Sequence, residues 1–219
     1  GSGLVGSEMC IRDRLADAAN LTVGLFYTDF KNMLDQENIG KETIDNKQFD
    51  ATKEINHGKV TAKGLEVLLN TASFHGFRFT GGYTYTHAEI KEGAWSKRGG
   101  DWANSPSKRP NELPRHSLTA RIDYEWNDFS AYVKSVSKFD SEQQNTKGGP
   151  NVDKYKNYTL VDLGASYVFK KQHRFSVAVN NIFDTGLEWV PSVTAGSYAN
   201  AYKEYIDGRN FWFSYAYSF

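Results

Sequence analysis

From Leu21 to the last residue, apolar and polar side chains exchange places with a period of two, and the runs that do so are separated by connections alternating between short and long. A period of two puts every second side chain on one face of an extended strand. The clearest run sets Leu118, Ala120, Ile122, Tyr124 and Trp126 against Ser117, Thr119, Arg121, Asp123 and Glu125. Similar runs put Leu21, Val23, Leu25 and Tyr27 on one face, then Leu65, Val67 and Leu69 opposite Glu66 and Asn70. Phe77, Phe79, Tyr83 and Tyr85 oppose Arg78, Thr80, Thr84 and Thr86, and Phe129, Ala131 and Val133 oppose Ser130, Tyr132 and Lys134. Val161, Leu163, Ala165, Tyr167 and Phe169 oppose Asp162, Gly164 and Ser166; Phe175, Val177 and Val179 oppose Arg174, Ser176 and Ala178. The last run, Phe211 to Phe219, completes eight predicted strands.

Three connections are tight, at Ala72–Gly76, Asn127-Asp128 and Lys170–His173; four are long, roughly Leu34–Thr52, Lys91–Arg115, Phe139–Lys156 and Asp184–Asp207. Strict alternation puts every long connection at one end of the sheet. A membrane-spanning up-and-down barrel is built this way, with short periplasmic turns and long extracellular loops. A soluble sandwich has no reason to be.

The faces point the same way. Glu66, Arg78, Arg121, Asp123, Glu125, Lys134 and Asp162 share the non-apolar sides of their strands. So many charges suit a hydrated lumen, with Phe, Tyr, Leu and Val turned to lipid, where a Lys or Arg at mid-depth costs about 2–4 kcal/mol. Aromatics near strand ends, such as Trp126, Phe129, Phe169 and Phe175, fit an interfacial girdle. The predicted fold is all-β: an antiparallel up-and-down transmembrane β-barrel. A mean hydropathy of −0.60 is compatible with this, since only alternate residues need be apolar. Zero formal net charge gives no electrostatic reason to expect a nucleic-acid partner. With Cys10 the single cysteine, no intrachain disulfide can form.

Residues 1–20 read as a leader apart from the barrel, which occupies 21–219. Gly1 to Arg14 shows neither alternation nor the basic-then-apolar layout of a signal peptide. It is expected to be a cloning scar or sequencing artefact, or else a short disordered tail, with the native start upstream.

The terminal segment Gly208-Arg209-Asn210-Phe211-Trp212-Phe213-Ser214-Tyr215-Ala216-Tyr217-Ser218-Phe219 ends on an aromatic, with aromatics at alternate positions before it. Phe211, Phe213, Tyr215, Tyr217 and Phe219 resemble the sorting strand that outer-membrane proteins present to their insertion machinery. Asn180-Asn181-Ile182-Phe183-Asp184, Gly64-Leu65-Glu66 and Gly208-Arg209-Asn210-Phe211 resemble, in order, three signatures of TonB-dependent receptors. Within that family the likeness leans to ferric-enterobactin and colicin receptors. The resemblance covers about Leu21 to Phe219. It implies the last eight strands of a barrel of about 22 strands filled by an N-terminal plug. It implies a Gram-negative outer-membrane location and import of a ferric siderophore, captured by extracellular loops and moved by energy delivered through TonB. TonB would act through an N-terminal part absent from this chain. Iron would enter only as part of the transported chelate, with no resident cofactor. Barrel insertion machinery, outer-membrane lipid, and a colicin or phage are the other implied partners; nucleic acid is not.

Candidate ligand contacts sit in the long connections: Trp95, Lys97, Arg98, Trp102, Lys108, Arg109, Trp189, Tyr198 and Tyr202. Lys91–Arg115 holds six Lys or Arg against three Asp or Glu. A ferric catecholate is anionic and aromatic, which Arg with Trp or Tyr can meet by charge and stacking. Read singly, each of these residues is as well explained by solvated loop charge or loop packing.

Enzymatic chemistry is not expected. The five histidines, His57, His75, His87, His116 and His173, have no metal-ligand spacing. His116 and Ser117 must face opposite ways on a strand, and His87 with Glu89 is a pair without a third group. Two other readings stand beside the receptor: a complete small eight-stranded membrane barrel with a structural or adhesive role, which must pair its first and last strands, and a soluble β-sandwich module.

Overall fold

A computed structural model describes residues 3–15, 18–92, 108–110, 113–144, 152–154, 156–186, 189–191, 198–200 and 206–219. Nine strands form one antiparallel sheet: β1 (Gly3–Leu15), β2 (Ala19–Ile44), β3 (Lys47–Thr71), β4 (Phe77–Glu92), β5 (His116–Trp126), β6 (Phe129–Phe139), β9 (Tyr158–Phe169), β10 (His173–Asn180) and β13 (Asn210–Tyr217). Between β6 and β9 lies a small ladder of β7 (Glu142–Gln144) with β8 (Val152–Lys154). Between β10 and β13 lies another, β11 (Trp189–Pro191) with β12 (Tyr198–Asn200). Every neighbour in the large sheet is its neighbour in sequence once these small ladders are set aside, as an up-and-down sheet requires.

Two expectations change. The leader, expected to stand apart, forms β1, paired with β2 from Gly3↔Lys31 to Leu15↔Ala19, so the sheet has nine strands rather than eight. The pairing uses the backbone groups of the edge of β2 and does not need alternating side chains. Second, the first long connection is not a loop. β2 and β3 run on as a hairpin to Ile44↔Lys47, closed by Asp45 and Asn46 at φ 50° and 60°. Asp and Asn tolerate the left-handed region that a two-residue hairpin turn demands. Register shifts near Met33 and between Asn38 and Gly40 break the regular alternation in between, which is why the segment reads as irregular.

Among the described residues, no second layer covers the sheet. Among the described residues the one buried apolar side chain is Ala88, at 3% exposure, while Leu118 is 43% and Ile122 46% exposed. This removes the sandwich reading: Leu118, Ile122, Val161 and Leu163 do not meet in a dry centre. β1 and β13 are the two edges of the sheet and do not pair with each other, so the closure required by a complete eight-stranded barrel is not made.

The register sorts the apolar face into rows. One row runs Trp126, Phe129, Tyr167, Phe175, Tyr215 across β5, β6, β9, β10 and β13. Above it lie Phe79, Ile122, Val133, Leu163, Val179 and Phe211. Higher still, Leu25, Leu65, Tyr85, His116 and Phe139 form a second row rich in aromatics. From Trp126 to His116, at about 3.4 Å per residue and a tilt of about 40°, the height is about 26 Å, the depth of an apolar band between two interfacial girdles. Part of the ionic face is paired internally. Arg121 Nη2 donates to Asp123 Oδ1 at 2.6 Å with its guanidinium 4.2 Å over the Tyr132 ring, and Lys134 Nζ lies 3.8 Å from Asp162.

Past the upper row the two faces exchange character. The next row on the formerly apolar side is Tyr27, Lys63 and His87, while the other side carries Phe26, Phe30, Val60, Ala62, Ala88 and Ile90. A sheet leaving hydrocarbon for water must turn its outer side polar at that level, so the exchange marks the upper edge of the band.

Gly64 explains one of the motif glycines. A Cβ there would meet the Tyr85 carbonyl oxygen and the Phe26 ring, which lies across the strand at this point. Gly64→Val is expected to lower stability by about 1–3 kcal/mol through overpacking, read as a lower denaturant midpoint in vesicles; an unchanged midpoint would deny the close approach.

Candidate ligand-binding end of the sheet

All the long connections leave the end marked by Lys63 and His87. Two polar constructions hold their bases. The first explains why the terminal motifs occur together. Asn181 is 4% exposed at φ 50°, a conformation asparagine tolerates. Its Nδ2 donates to the Thr185 and Asp207 carbonyls at 2.8 and 2.9 Å, and its Oδ1 accepts from Thr185 N at 2.9 Å. Its own N–H donates to Asp162 Oδ1 at 2.9 Å. Asp184 Oδ1 accepts from Arg209 N at 2.6 Å, and Arg209 Nη1 donates to the Ile182 carbonyl at 3.3 Å. Asn181-Ile182-Phe183-Asp184 and Gly208-Arg209 are thus the two halves of a clasp closing the stem of the last long connection. Asn181→Ala removes three of these bonds, strands their partners, and is expected to cost about 2 kcal/mol. Proteolysis of the 187–205 connection should quicken; an unchanged rate would show that the clasp does not hold the stem.

The second construction is centred on Arg109, which is 9% exposed. Its Nη1 lies 2.8 Å from Glu142 and 3.4 Å from Asp140, and its Nη2 donates to the Asp140 carbonyl at 2.5 Å and that of Leu113 at 3.4 Å. Arg115 Nη1 adds a second cation 3.2 Å from Asp140. The backbone N–H of Ile90 donates to the Lys108 carbonyl at 2.7 Å, so the returning connection lies against the outer end of β4. There the Lys91 ammonium, 2.6 Å from Glu89, holds that carboxyl below its usual range.

Of the predicted contacts, Lys108 and Arg109 are therefore brought to one place, and Arg109 is engaged by protein carboxylates. Trp189 and Tyr198 lie in the β11–β12 ladder, opposite Asn200 and Pro191 respectively. Trp95, Lys97, Arg98, Trp102 and Tyr202 lie outside the described residues. The sorting-strand residues Phe211, Phe213, Tyr215 and Tyr217 share the apolar face of β13, with Phe219 fully exposed beyond it. Asp140, Glu142 and Arg115 were not predicted. They sit in connections with no periodicity, and only the three-dimensional return of the chain brings them to Arg109. His116 bonds the Tyr83 hydroxyl at 2.7 Å on the apolar face, away from Ser117, as alternation requires.

Residues 11–182 match the family model described as TonB dependent receptor-like, beta-barrel. The chain belongs to the TonB-dependent receptor family. Among its relatives, the iron-regulated outer membrane virulence protein of Vibrio cholerae is 26% identical over 200 residues, covering 89% of this chain and 27% of that protein. The catecholate siderophore receptor Fiu of Escherichia coli is 24% identical over 179 residues, covering 81% of this chain and 21% of that one. The crystal structure of Fiu superposes with a TM-score of 0.65 at 23% identity, over 99% of this chain and 27% of Fiu. A ferric enterobactin receptor of Pseudomonas aeruginosa in complex with enterobactin gives 0.71 at 19% identity, over 99% and 31%. The chain spans about a fifth to a third of the length of these relatives. TonB-dependent receptors are thus the setting in which the open nine-stranded sheet has its counterpart: a segment of barrel wall.

Proposed function

We propose that this chain is the C-terminal part of the barrel wall of a Gram-negative outer-membrane receptor that imports a ferric siderophore with energy delivered through TonB. What carries the reading is a single uncovered sheet whose apolar face is banded by two aromatic rows and whose opposite face is ionic, together with membership of the family. The relatives named as a catecholate siderophore receptor and a ferric enterobactin receptor support an iron chelate as cargo, and the structure of the FpvAI–pyocin S2 complex supports a colicin-like protein as a second partner. The long connections between β4 and β5, β6 and β9, and β10 and β13 form the capture surface. Trp95, Lys97, Arg98, Trp102, Lys108, Trp189, Tyr198 and Tyr202 are its proposed contacts, while Arg109, held by Asp140 and Glu142, anchors the returning connection. The small complete barrel gains nothing from a sheet whose edge strands stay apart.

The test is uptake of a radiolabelled ferric catecholate by cells whose receptor carries this segment. Wild type should accumulate iron only while TonB is functional. Arg98→Ala should weaken binding about fivefold, the loss of one exposed charge or stacking contact of about 1 kcal/mol. Uptake that is equal without TonB, or absent for every ferric chelate tried, would overturn the reading.

A further inference from the structure

The tight turns of this sheet mostly carry residues suited to left-handed backbone: Asp45-Asn46, His75-Gly76 and Asn127. The β9–β10 turn does not. It places Lys170 and Lys171 there, at φ 51° and 61°. For a residue with a long side chain this conformation costs of order 1 kcal/mol, and an unfavourable backbone state kept in place points to a use for the side chain.

The two lysines serve different faces. Lys171, with Arg174, lines a hollow of about 310 Å³ on the ionic side, whose wall also includes Glu125 and Asp128. Lys170 turns to the apolar side, its ammonium 5.2 Å from the Phe169 ring centroid. Phe169, His173 and Tyr217 form the row directly beyond the lower girdle. The His173 ring lies 5.0 Å from Tyr217 and 6.2 Å from Phe169, and its Nδ1 is bonded to the Tyr215 hydroxyl at 2.8 Å. Its second ring nitrogen and the Tyr217 hydroxyl have no hydrogen-bond partner among the described residues. A cation, an imidazole nitrogen and a phenol thus gather on the lipid side at the level where acyl chains end, with no carboxylate side chain in their row.

We propose that Lys170, His173 and Tyr217 form a binding site for the phosphate of an anionic phospholipid headgroup in the leaflet at the tight-turn end of the wall. The ammonium supplies charge, the imidazole and phenol supply hydrogen bonds to phosphate oxygens, and Phe169 with Phe175 offers a platform for the glycerol and first methylenes. The aromatic girdle continues directly into the site, so an occupant bound there keeps its chains in the band already described. The inference rests on the membrane-wall reading.

The test uses the full receptor in bilayer discs made of equal parts phosphatidylcholine and phosphatidylglycerol, with retained lipid counted by native mass spectrometry after transfer to detergent. Wild type should keep phosphatidylglycerol over phosphatidylcholine. Lys170→Asn should reduce that preference about fivefold, the loss of one lysine at a charged headgroup layer. Because asparagine suits the turn better than lysine, the variant should be no less stable than wild type. Lys171→Asn, on the other face, should retain lipid as wild type does. Equal retention by wild type and Lys170→Asn, or an equal loss in both lysine variants, overturns the site. A receptor that does not enter the bilayer at all refutes the membrane reading itself, which is a separate outcome.

Discussion

Replacing Ile122 with lysine is expected to cost the inserted barrel about 2–4 kcal/mol, whereas Thr119→Lys costs less than about 1 kcal/mol. Ile122 lies near mid-height of the apolar band, between the rows of Trp126 and His116, and is 46% exposed with no protein layer over it. A lysine there would place its ammonium in hydrocarbon or force the stem to bend toward one girdle. Thr119 sits three residues higher but still between the two girdle rows, on the ionic face beside Gly82 and Val136, where water and the nearby Lys134 and Asp162 make a further charge tolerable. The comparison is between two lysines on one strand, so strand propensity and denatured-state effects largely cancel. Denaturant unfolding of the full receptor from phospholipid vesicles reads both. Equal costs would mean that the two faces see the same medium.

The second large effect is expected at Arg109. Arg109→Met removes the guanidinium from two carboxylates: Glu142, which is 12% exposed, and Asp140, which keeps Arg115 at 3.2 Å. Stranding a largely buried charge costs about 3–5 kcal/mol, here expected near the lower end because Asp140 stays partly compensated. The loss should be local. The Ile90 amide, which donates to the Lys108 carbonyl, reports whether the returning connection stays docked, and its hydrogen exchange should quicken by about two orders of magnitude. The double variant Arg109→Met/Glu142→Leu should recover much of the loss, because the stranded charge goes with its partner. If Arg109→Met left Ile90 exchange unchanged, the guanidinium would not be what docks the connection.

These residues also show what could be read before any coordinates. Leu118 to Trp126 betrayed its strand, its two faces and its place beside Phe129 to Val133, because a period of two and an Asn-Asp turn are local properties of the chain. The terminal motifs were legible as signs but not as structure. Nothing in the spacing of Asn181 and Arg209 says that they close one stem, since that depends on where the 187–205 connection returns. Arg109 was legible as a cation in a basic segment; its carboxylates, more than 30 residues on, were not. The Asp45-Asn46 turn was within reach, but register shifts near Met33 and Gly40 broke the alternation that would have tied it to its strands. The strand at Gly3–Leu15 was not legible for the opposite reason: backbone pairing needs no pattern in the side chains.

Which medium each face meets is measured position by position by collision of a spin label with oxygen or with a water-soluble nickel chelate. Labels on single cysteines at Ile122, Val133 and Leu163 of the full receptor in bilayers should favour oxygen, labels at Arg121, Lys134 and Ser166 should not, and the preference should reverse between Leu65 and Lys63. Labels at Ile122, Val133 and Leu163 shielded from both reagents would reveal a dry protein interior and contradict the membrane wall.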